Sequence, residues 1–307
     1  MKVAIIGAGN VGATAALRIV EANLADIVLM DIVEGKAEGL ALDLSSASSI
    51  VGHSRSILGT TDYKEISGAN IVVLTAGQAR SPGQSREELL SKNAEIAKDA
   101  SRKIVQYAPS AIVIVVSNPL DVLTYLTLKA TKFSPAKIIG MGGVSDCARF
   151  NMLIGNELNI AGSQVQSVII GPHADNMVIL PRLTTVKGKA LNELLSEKKI
   201  EEIVGETRNF GARIVKLLGK GSAYYGPSAG IFALVDSIVN DRKKLLCASS
   251  YLSGQYGLSD LCLGVPVKIG AGGIEEIVEL ELTDGEKSAL MNSAASIKNL
   301  IKKIRSI

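Results

Sequence analysis

Apolar residues in the first half of the chain fall into short uninterrupted runs that longer mixed segments separate. The runs are KVAIIG (2–7), DIVLMD (26–31), IVVLTAG (71–77), AIVIVVSNP (111–119) and KIIGMGG (137–143). Because they lack an alternation of buried and exposed positions, they are typical of strands in a parallel sheet covered on both faces. Helical stretches fill the gaps, at 11–22, 85–107 and 120–132. This alternation predicts a doubly wound α/β architecture.

The pattern changes after about residue 142. A long helix is expected at 200–218, among runs that we interpret as antiparallel strands: SVIIG, LLCASSYLSG, LCLGVPVKIG and GIEEIVELEL. We therefore predict a first domain over 1–141 and a second, α+β domain over 142–307. No low-complexity linker separates them, so we expect close packing. Thr283 and Glu286 have the spacing of a capping box at the start of the closing helix.

Length and charge exclude several classes of protein. With 307 residues the chain has enough volume for one large or two ordinary domains. Its 33 basic and 30 acidic residues give a formal charge of +3, which favours neither nucleic acid nor a membrane surface as a partner. No apolar run approaches the roughly 18 residues of a membrane span, and glycines interrupt the first run too early for a signal peptide. The three cysteines form no C-x-x-C pair, so we expect reduced thiols in a cytoplasmic protein.

A glycine-rich turn follows the first predicted strand and opens the first predicted helix. Gly7, Gly9 and Gly12 form the G-x-G-x-x-G pattern of a dinucleotide-binding loop. They permit a tight turn, close approach of the main chain to a pyrophosphate, and contact between helix and strand. The N–H groups at the helix start then face the phosphates. We expect a Rossmann-type fold whose cofactor contacts include Gly7, Ala8, Gly9, Asn10, Val11 and Gly12.

Asp31 ends the second predicted strand and adds weight to this interpretation. A carboxylate at that place accepts hydrogen bonds from an adenine-ribose 2′-hydroxyl and repels a 2′-phosphate. The pair of motifs therefore predicts NAD as the cofactor. The alternative is a structural glycine turn with an unrelated surface aspartate.

The chain has only two histidines, the residue type that titrates near neutral pH. His53 lies in the polar stretch VGHSRS, and we expect it at the surface. His173 lies in IIGPHADNM, where an apolar strand ends in glycine and proline, as at strand ends that present catalytic groups. On its own this context leaves a catalytic and a structural role of His173 equally open.

Arginines supply further context. The segment AGQARSPGQSREELL follows a predicted strand, and its glycines and proline describe a mobile loop that carries Arg80 and Arg86. Arg149 follows Asp146 at i+3 in GGVSDCARF, which puts both on one face of a helix. Such a pair can be a surface ion pair of about 0 to 1 kcal/mol. Three arginines beside a cofactor cleft would instead indicate a small dianionic substrate, because a guanidinium binds a carboxylate bidentately.

These motifs, in their order and spacing, extend over nearly the whole chain and indicate a family resemblance. The sequence resembles the lactate/malate dehydrogenase family, and its malate dehydrogenase branch in particular, in GAGNVG, DIVLMD, ARSPGQSREELL, SNPLD, GGVSDCARF, GPHADNM and GSAYYGPSAG. The resemblance implies a Rossmann-type, doubly wound parallel sheet with a second α+β catalytic domain. It also implies hydride transfer between nicotinamide C4 and C2 of a 2-hydroxy or 2-keto acid.

The resemblance further implies a role for each motif residue. His173 would donate and accept the proton on the substrate oxygen, and Asp146 would orient its imidazole. Arg149 would bind the carboxylate next to the reacting carbon, and Arg86 would polarise the carbonyl. Asn118 would contact both the substrate and the cofactor. Three further matching positions would contact the cofactor: Asn93, Val116 and Ser117.

Arg80 bears on the choice of substrate. At the matching position lactate dehydrogenases usually carry glutamine, whereas malate dehydrogenases carry arginine for a second carboxylate. The resemblance thus implies a small dicarboxylate substrate, (S)-malate or oxaloacetate, with a lactate or other 2-hydroxy-acid dehydrogenase as the alternative. A nucleotide-sensing protein without catalysis would be expected to have lost His173 or an arginine. The resemblance also implies a homodimer or homotetramer.

Two positions depart from the family pattern. Ala174 replaces the glycine that usually follows the histidine, and Asn176 stands where threonine or serine is common. We expect a small shift of the histidine loop without loss of a catalytic group.

Overall fold

A computed structural model describes residues 1–78, 86–219 and 221–305. Its strands are β1 Lys2–Ile6, β2 Asp26–Met30, β3 Ile57–Thr60, β4 Ile71–Leu74, β5 Ile112–Val115, β6 Ile138–Gly140, β7 Val165–Gln166, β8 Ile169–Ile170, β9 Val178–Ile179, β10 Thr185–Val186, β11 Lys189–Ala190, β12 Lys244–Ser253, β13 Ser259–Gly270 and β14 Gly273–Ile277. Its helices are α1 Asn10–Glu21, α2 Lys36–Ser46, α3 Ser48–Val51, α4 Arg86–Tyr107, α5 Leu120–Thr131, α6 Gly142–Leu158, α7 Glu197–Leu218, α8 Tyr225–Val239 and α9 Asp284–Arg305.

The main sheet has nine strands in the order β14-β13-β12-β6-β5-β4-β1-β2-β3. Its six N-terminal strands are parallel, and in register Ile5 pairs with Leu29 of β2 and with Val73 of β4. These three residues are fully buried, as expected for strands with helices on both faces. The order reverses between β1 and β4, which opens a crevice at the carboxyl ends of these strands. The predicted doubly wound sheet is confirmed.

The C-terminal half extends the same sheet with antiparallel strands. Ser249 of β12 pairs with Gly140 of β6, and β13 and β14 follow as an antiparallel meander. Two small antiparallel sheets, β11-β10-β7 and β8-β9, complete this half. The predicted antiparallel pairing is confirmed for these runs, but β14 ends at Ile277, halfway along GIEEIVELEL, and SVIIG contributes β8 to a separate small sheet. The main sheet carries both halves of the chain.

Several local predictions can be compared with the elements found. The capping box is confirmed, because the N–H of Thr283 donates to Glu286 Oε2 (2.9 Å) and the N–H of Glu286 donates to Thr283 Oγ1 (3.3 Å). Helix α7 begins at Glu197, three residues earlier than expected, because Ser196 caps it through the N–H of Lys199. Among the described residues, no helix combines the length and apolar character that crossing a membrane demands.

The prediction for His53 is wrong. Its side chain is buried, with 7% relative exposure, in the connection between α3 and β3. Neither ring nitrogen has a hydrogen-bond partner among the described residues. The surrounding sequence is polar, but the fold of this connection turns the imidazole inward.

Candidate active site

The glycine-rich turn lies at the crevice between β1 and β4. Gly7 has φ +108°, a conformation that favours glycine. A Cβ at Gly12 would lie 2.0 Å from the carbonyl oxygen of Gly7, so this approach of α1 to the turn requires glycine. Around Gly9, by contrast, a Cβ would meet no atom within 4 Å, and no side chain caps α1 there. The first N–H groups of α1 are therefore left for an anion.

Asp31, directly after β2, holds the other side of this turn. Its carboxylate accepts hydrogen bonds from the N–H of Ala8 (2.8 Å) and of Val33 (3.1 Å) and pairs with Lys36 Nζ (2.9 Å). Burial raises the pKa of Asp31, but the hydrogen bonds from Lys36, Val33 and Ala8 outweigh it and leave this pKa below its usual value. Asp31 is therefore an anion fixed at the rim of the turn.

A cavity of about 570 Å³ runs along these residues and fits the adenosine half of a dinucleotide. Its lining includes Gly7, Gly9 and Asp31, together with Thr75 and Gly77 from the loop after β4. The open space at Gly9, the uncapped start of α1 and the fixed carboxylate suit a pyrophosphate and a ribose hydroxyl.

A second cavity, of about 380 Å³, contains the predicted acid–base group. Asp146 and Arg149 lie on one face of helix α6. The carboxylate of Asp146 accepts a 3.1 Å hydrogen bond from Arg149 Nη1. The other carboxylate oxygen lies 2.7 Å from His173 Nδ1. The Asp146 side chain is only 2% exposed, against 17% for His173 and for Arg149. One buried anion thus bridges two groups that face the cavity.

The electrostatics of this cluster favour a protonated imidazole. Burial disfavours the charged form of His173, but the attraction of Asp146 and its hydrogen bond are stronger together, so the pKa of His173 lies above the usual 6.5. With Nδ1 held by Asp146, the nitrogen that remains for a substrate oxygen is Nε2.

Small residues position the main chain of His173. Gly171 has φ +89° and forms a bridge with Gly264 of β13, by hydrogen bonds of 2.8 and 3.0 Å. A Cβ at Gly142, the first residue of α6, would lie 2.6 Å from the Cβ of His173. Ala174 keeps an ordinary negative φ, so the turn after the histidine does not require the family's usual glycine.

Asp121, which sequence reasoning did not single out, fixes the same loop from α5. Its Oδ2 accepts a 2.8 Å hydrogen bond from the main-chain N–H of His173, and its Oδ1 accepts one of 2.7 Å from Ser249 Oγ. Burial raises the pKa of Asp121 to about 6, against the lowering effect of these hydrogen bonds. The available signal was a lone carboxylate in the apolar run LDVLTYLTL.

Residues of the first half close the second cavity. Val11, Val116 and Asn118 line it together with His173 and Arg149, so the glycine-rich turn and the histidine cluster share one cleft. Ser117 donates from Oγ to the carbonyl of Ala76 (2.6 Å).

Asn93 is buried and braces two loops beside this cleft. It donates to the carbonyl oxygens of Gln78 (3.2 Å) and Asn118 (2.8 Å) and accepts from the N–H of Gln78 (2.8 Å). Direct contact of Asn93 with a cofactor stays a prediction. The two loop arginines cannot be compared in this way, because Arg80 and the side chain of Arg86 lie outside the described residues.

Comparisons with known proteins agree with this geometry. Residues 1–140 match the family model of the lactate/malate dehydrogenase NAD binding domain, and residues 145–307 match that of the lactate/malate dehydrogenase alpha/beta C-terminal domain. A malate dehydrogenase of Methanosarcina mazei is 48% identical over 304 residues, which are 99% of each chain.

Solved structures give the same result. A malate dehydrogenase of Cryptosporidium parvum has a TM-score of 0.97 at 37% identity and covers 100% of this chain and 99% of its own. The malate dehydrogenase of Plasmodium falciparum in complex with NADH has a TM-score of 0.94 at 36% identity, with the same coverage. By both domain models and by this identity over its full length, the chain belongs to the lactate/malate dehydrogenase family.

Proposed function

We propose that this protein is an NAD-dependent malate dehydrogenase, which interconverts (S)-malate and oxaloacetate. The observation that carries the proposal is the His173–Asp146–Arg149 cluster, which faces a cavity continuous with the glycine-rich turn. The named relatives, all malate dehydrogenases in the comparisons above, support the same substrate pair.

Acid–base chemistry falls to His173. In malate oxidation its neutral imidazole accepts the hydroxyl proton at Nε2, and in oxaloacetate reduction its imidazolium returns that proton to the carbonyl oxygen. Asp146 stabilises the imidazolium and fixes the ring through Nδ1, 2.7 Å away. Bound NAD supplies the hydride acceptor.

Arg149 binds the carboxylate next to the reacting carbon. A guanidinium suits this task because its paired N–H groups match the two oxygens of a carboxylate. Arg149 uses one nitrogen, Nη1, on Asp146, which leaves other donors for the substrate. Asn118, an exposed residue of the loop after β5 that lines the same cavity, hydrogen-bonds the substrate.

The loop arginines complete the substrate site in this proposal. Arg86 polarises the carbonyl as negative charge develops, and Arg80 pairs with the distal carboxylate. Val116 and Ser117 lie beside the nicotinamide, and residues 7–12 with Asp31 and Asn93 bind the rest of the cofactor. The lactate alternative has less support, since a neutral methyl group would leave Arg80 unpaired.

We also propose the organisation around this site. Residues 1–141 form the nucleotide-binding domain and 142–307 the catalytic domain, close to the two ranges that the family models match. The free thiols of the described cysteines support a cytoplasmic location. The homodimer or homotetramer that the family resemblance implies is part of the same proposal.

The two histidines give a matched test. His173→Asn should reduce oxaloacetate-dependent NADH oxidation by at least about 100-fold, since a positioned acid–base group contributes about 10²–10⁴ in rate. NADH binding, followed by fluorescence, should stay within about threefold. His53→Gln, which alters the buried histidine outside the cavity, should leave kcat near that of the wild type. Near-normal turnover by His173→Asn would contradict the proposed chemistry.

A further inference from the structure

Helix α7 forms one wall of the substrate cavity. Arg208, Gly211, Ala212 and Val215 all line this cavity. Their spacing of i, i+3, i+4 and i+7 places them on one face of the helix. Arg208 therefore lies on the same cavity-lining face of α7 as the small residues Gly211 and Ala212.

Arg208 is also the one guanidinium without a partner among the arginines whose side chains the structure describes. The other arginines with described side chains all form hydrogen bonds or ion pairs: Arg18 with Ser228 and Tyr225, Arg55 with Asn23, Arg102 with Asp99, Arg149 with Asp146, Arg182 with Glu286, Arg213 with Glu206, and Arg242 with Asp236. A guanidinium in a cleft wall that no described carboxylate neutralises is suited to an anionic ligand.

Arg149 approaches this helix closely. A Cβ at Gly211, one turn beyond Arg208, would lie 3.7 Å from Nη1 of Arg149. Arg149 and Arg208 both line the cavity, so two cationic side chains border it. Of the two carboxylates in its lining, Asp146 is taken up by Arg149 and His173, and Asp175 forms no ion pair with Arg208.

We propose that Arg208 is a specificity-determining residue, which binds the carboxylate of the substrate distal to the reacting carbon. This inference rests on the proposed function, in which the substrate is a four-carbon dicarboxylate. Arg149 binds one carboxylate, and Arg208, from the neighbouring helix, binds the other.

The same helix provides the control variant. Arg213 carries the same charge five residues further on and is exposed like Arg208, but it pairs with Glu206 at 3.5 Å and does not line the cavity. Arg208→Gln and Arg213→Gln therefore remove equal charge from one helix, inside and outside the site.

The experiment measures kcat and KM for oxaloacetate and for pyruvate with NADH in the wild type and in both variants. In Arg208→Gln we expect kcat/KM for oxaloacetate to fall about 10- to 100-fold, mainly through KM, because a charge-assisted hydrogen bond is lost. The value for pyruvate should stay within about threefold. In Arg213→Gln both values should stay within about twofold. Arg208→Lys, which keeps the charge without the planar fork, should recover part of the oxaloacetate activity.

Two results would overturn the inference. One is a change of less than threefold for oxaloacetate in Arg208→Gln. The other is an equal loss for both keto acids, which would reveal a general attraction of anions, and that loss should then shrink at high salt. Failure of the proposed function is distinguishable, since a wild type that does not prefer oxaloacetate refutes it before any variant is compared.

Discussion

The main-chain N–H of His173 donates a 2.8 Å hydrogen bond to Asp121 Oδ2. A different buried carboxylate, that of Asp146, lies 2.7 Å from the ring nitrogen Nδ1 of the same residue. One carboxylate therefore fixes where the histidine is, and the other fixes how its ring is oriented and charged. The two carboxylates belong to different helices, α5 and α6, which precede and follow β6 in the chain.

Asp121 should make the stability of the protein depend on pH. Burial raises its pKa from 3.8 to about 6, so the folded state prefers the protonated carboxyl. Its contribution to stability is complete below about pH 4 and is lost as the pH rises through about 6. Asp121→Asn lacks this titration while keeping an acceptor for the N–H of His173. Its free energy of unfolding relative to the wild type should therefore increase from pH 4 to pH 7.

Urea unfolding at a series of pH values checks this expectation. Asp43→Asn, the same substitution at an exposed position of α2, is the control for the removal of one carboxylate. A difference between Asp121→Asn and wild type that stays constant over this range would contradict a raised pKa of Asp121.

Asp146 should set the pH range of catalysis. Because its charge and hydrogen bond raise the pKa of His173 against the effect of burial, the imidazolium persists above pH 6.5. Oxaloacetate reduction should fall as the pH rises past this pKa, and malate oxidation should rise. In Asp146→Asn the falling limb should move to lower pH, and kcat/KM should drop at least about 100-fold. A drop in rate with an unmoved limb would show that Asp146 does not control this proton.

Asp31 should set the choice between NADH and NADPH. A 2′-phosphate beside this anion meets repulsion and a lost hydrogen bond, so we expect the wild type to favour NADH at least about 100-fold in kcat/KM. Asp31→Ser should lower this NADH/NADPH ratio of kcat/KM. In the wild type Lys36 lies 2.9 Å from the Asp31 carboxylate, and in the variant it becomes free to pair with the phosphate. Asp31→Ser combined with Lys36→Met should lower the ratio less. An unchanged ratio in Asp31→Ser would count against this role.

Gly9 and Gly12 should respond differently to the same added methyl group. A Cβ at Gly12 would lie 2.0 Å from the Gly7 oxygen, so Gly12→Ala should lower the free energy of unfolding by about 3 kcal/mol. A Cβ at Gly9 meets no protein atom within 4 Å, so Gly9→Ala should keep the thermal midpoint near that of the wild type. It should instead weaken NADH binding at least about tenfold, because the methyl group occupies the approach to the pyrophosphate. Tight NADH binding by Gly9→Ala would contradict this placement of the cofactor.

The sequence predicted those features that depend only on neighbouring residues, such as a strand that is apolar throughout or a pair of side chains on one helix face. The apolar run of β4 and the i+3 spacing of Asp146 and Arg149 are complete within a few residues, and both predictions are confirmed. The burial of His53 depends on the path of the connection between α3 and β3, and the contact of Asp121 with His173 joins residues 52 positions apart in the chain. Arg208 lies in the polar helix segment ETRNFG and is exposed, and only the packing of α7 beside α6 brings it to the cavity. No short-range periodicity contains this information.

Whether the substrate is a dicarboxylate can be measured as kcat/KM for oxaloacetate and for pyruvate in the wild type and in Arg80→Gln. The wild type should prefer oxaloacetate by at least about a thousandfold, because pyruvate leaves a cation of the closed site without its anion. Arg80→Gln should lower the value for oxaloacetate steeply and raise that for pyruvate. A wild type that uses pyruvate as well as oxaloacetate, or a ratio unchanged in Arg80→Gln, would contradict the account and favour a broader 2-hydroxy-acid dehydrogenase.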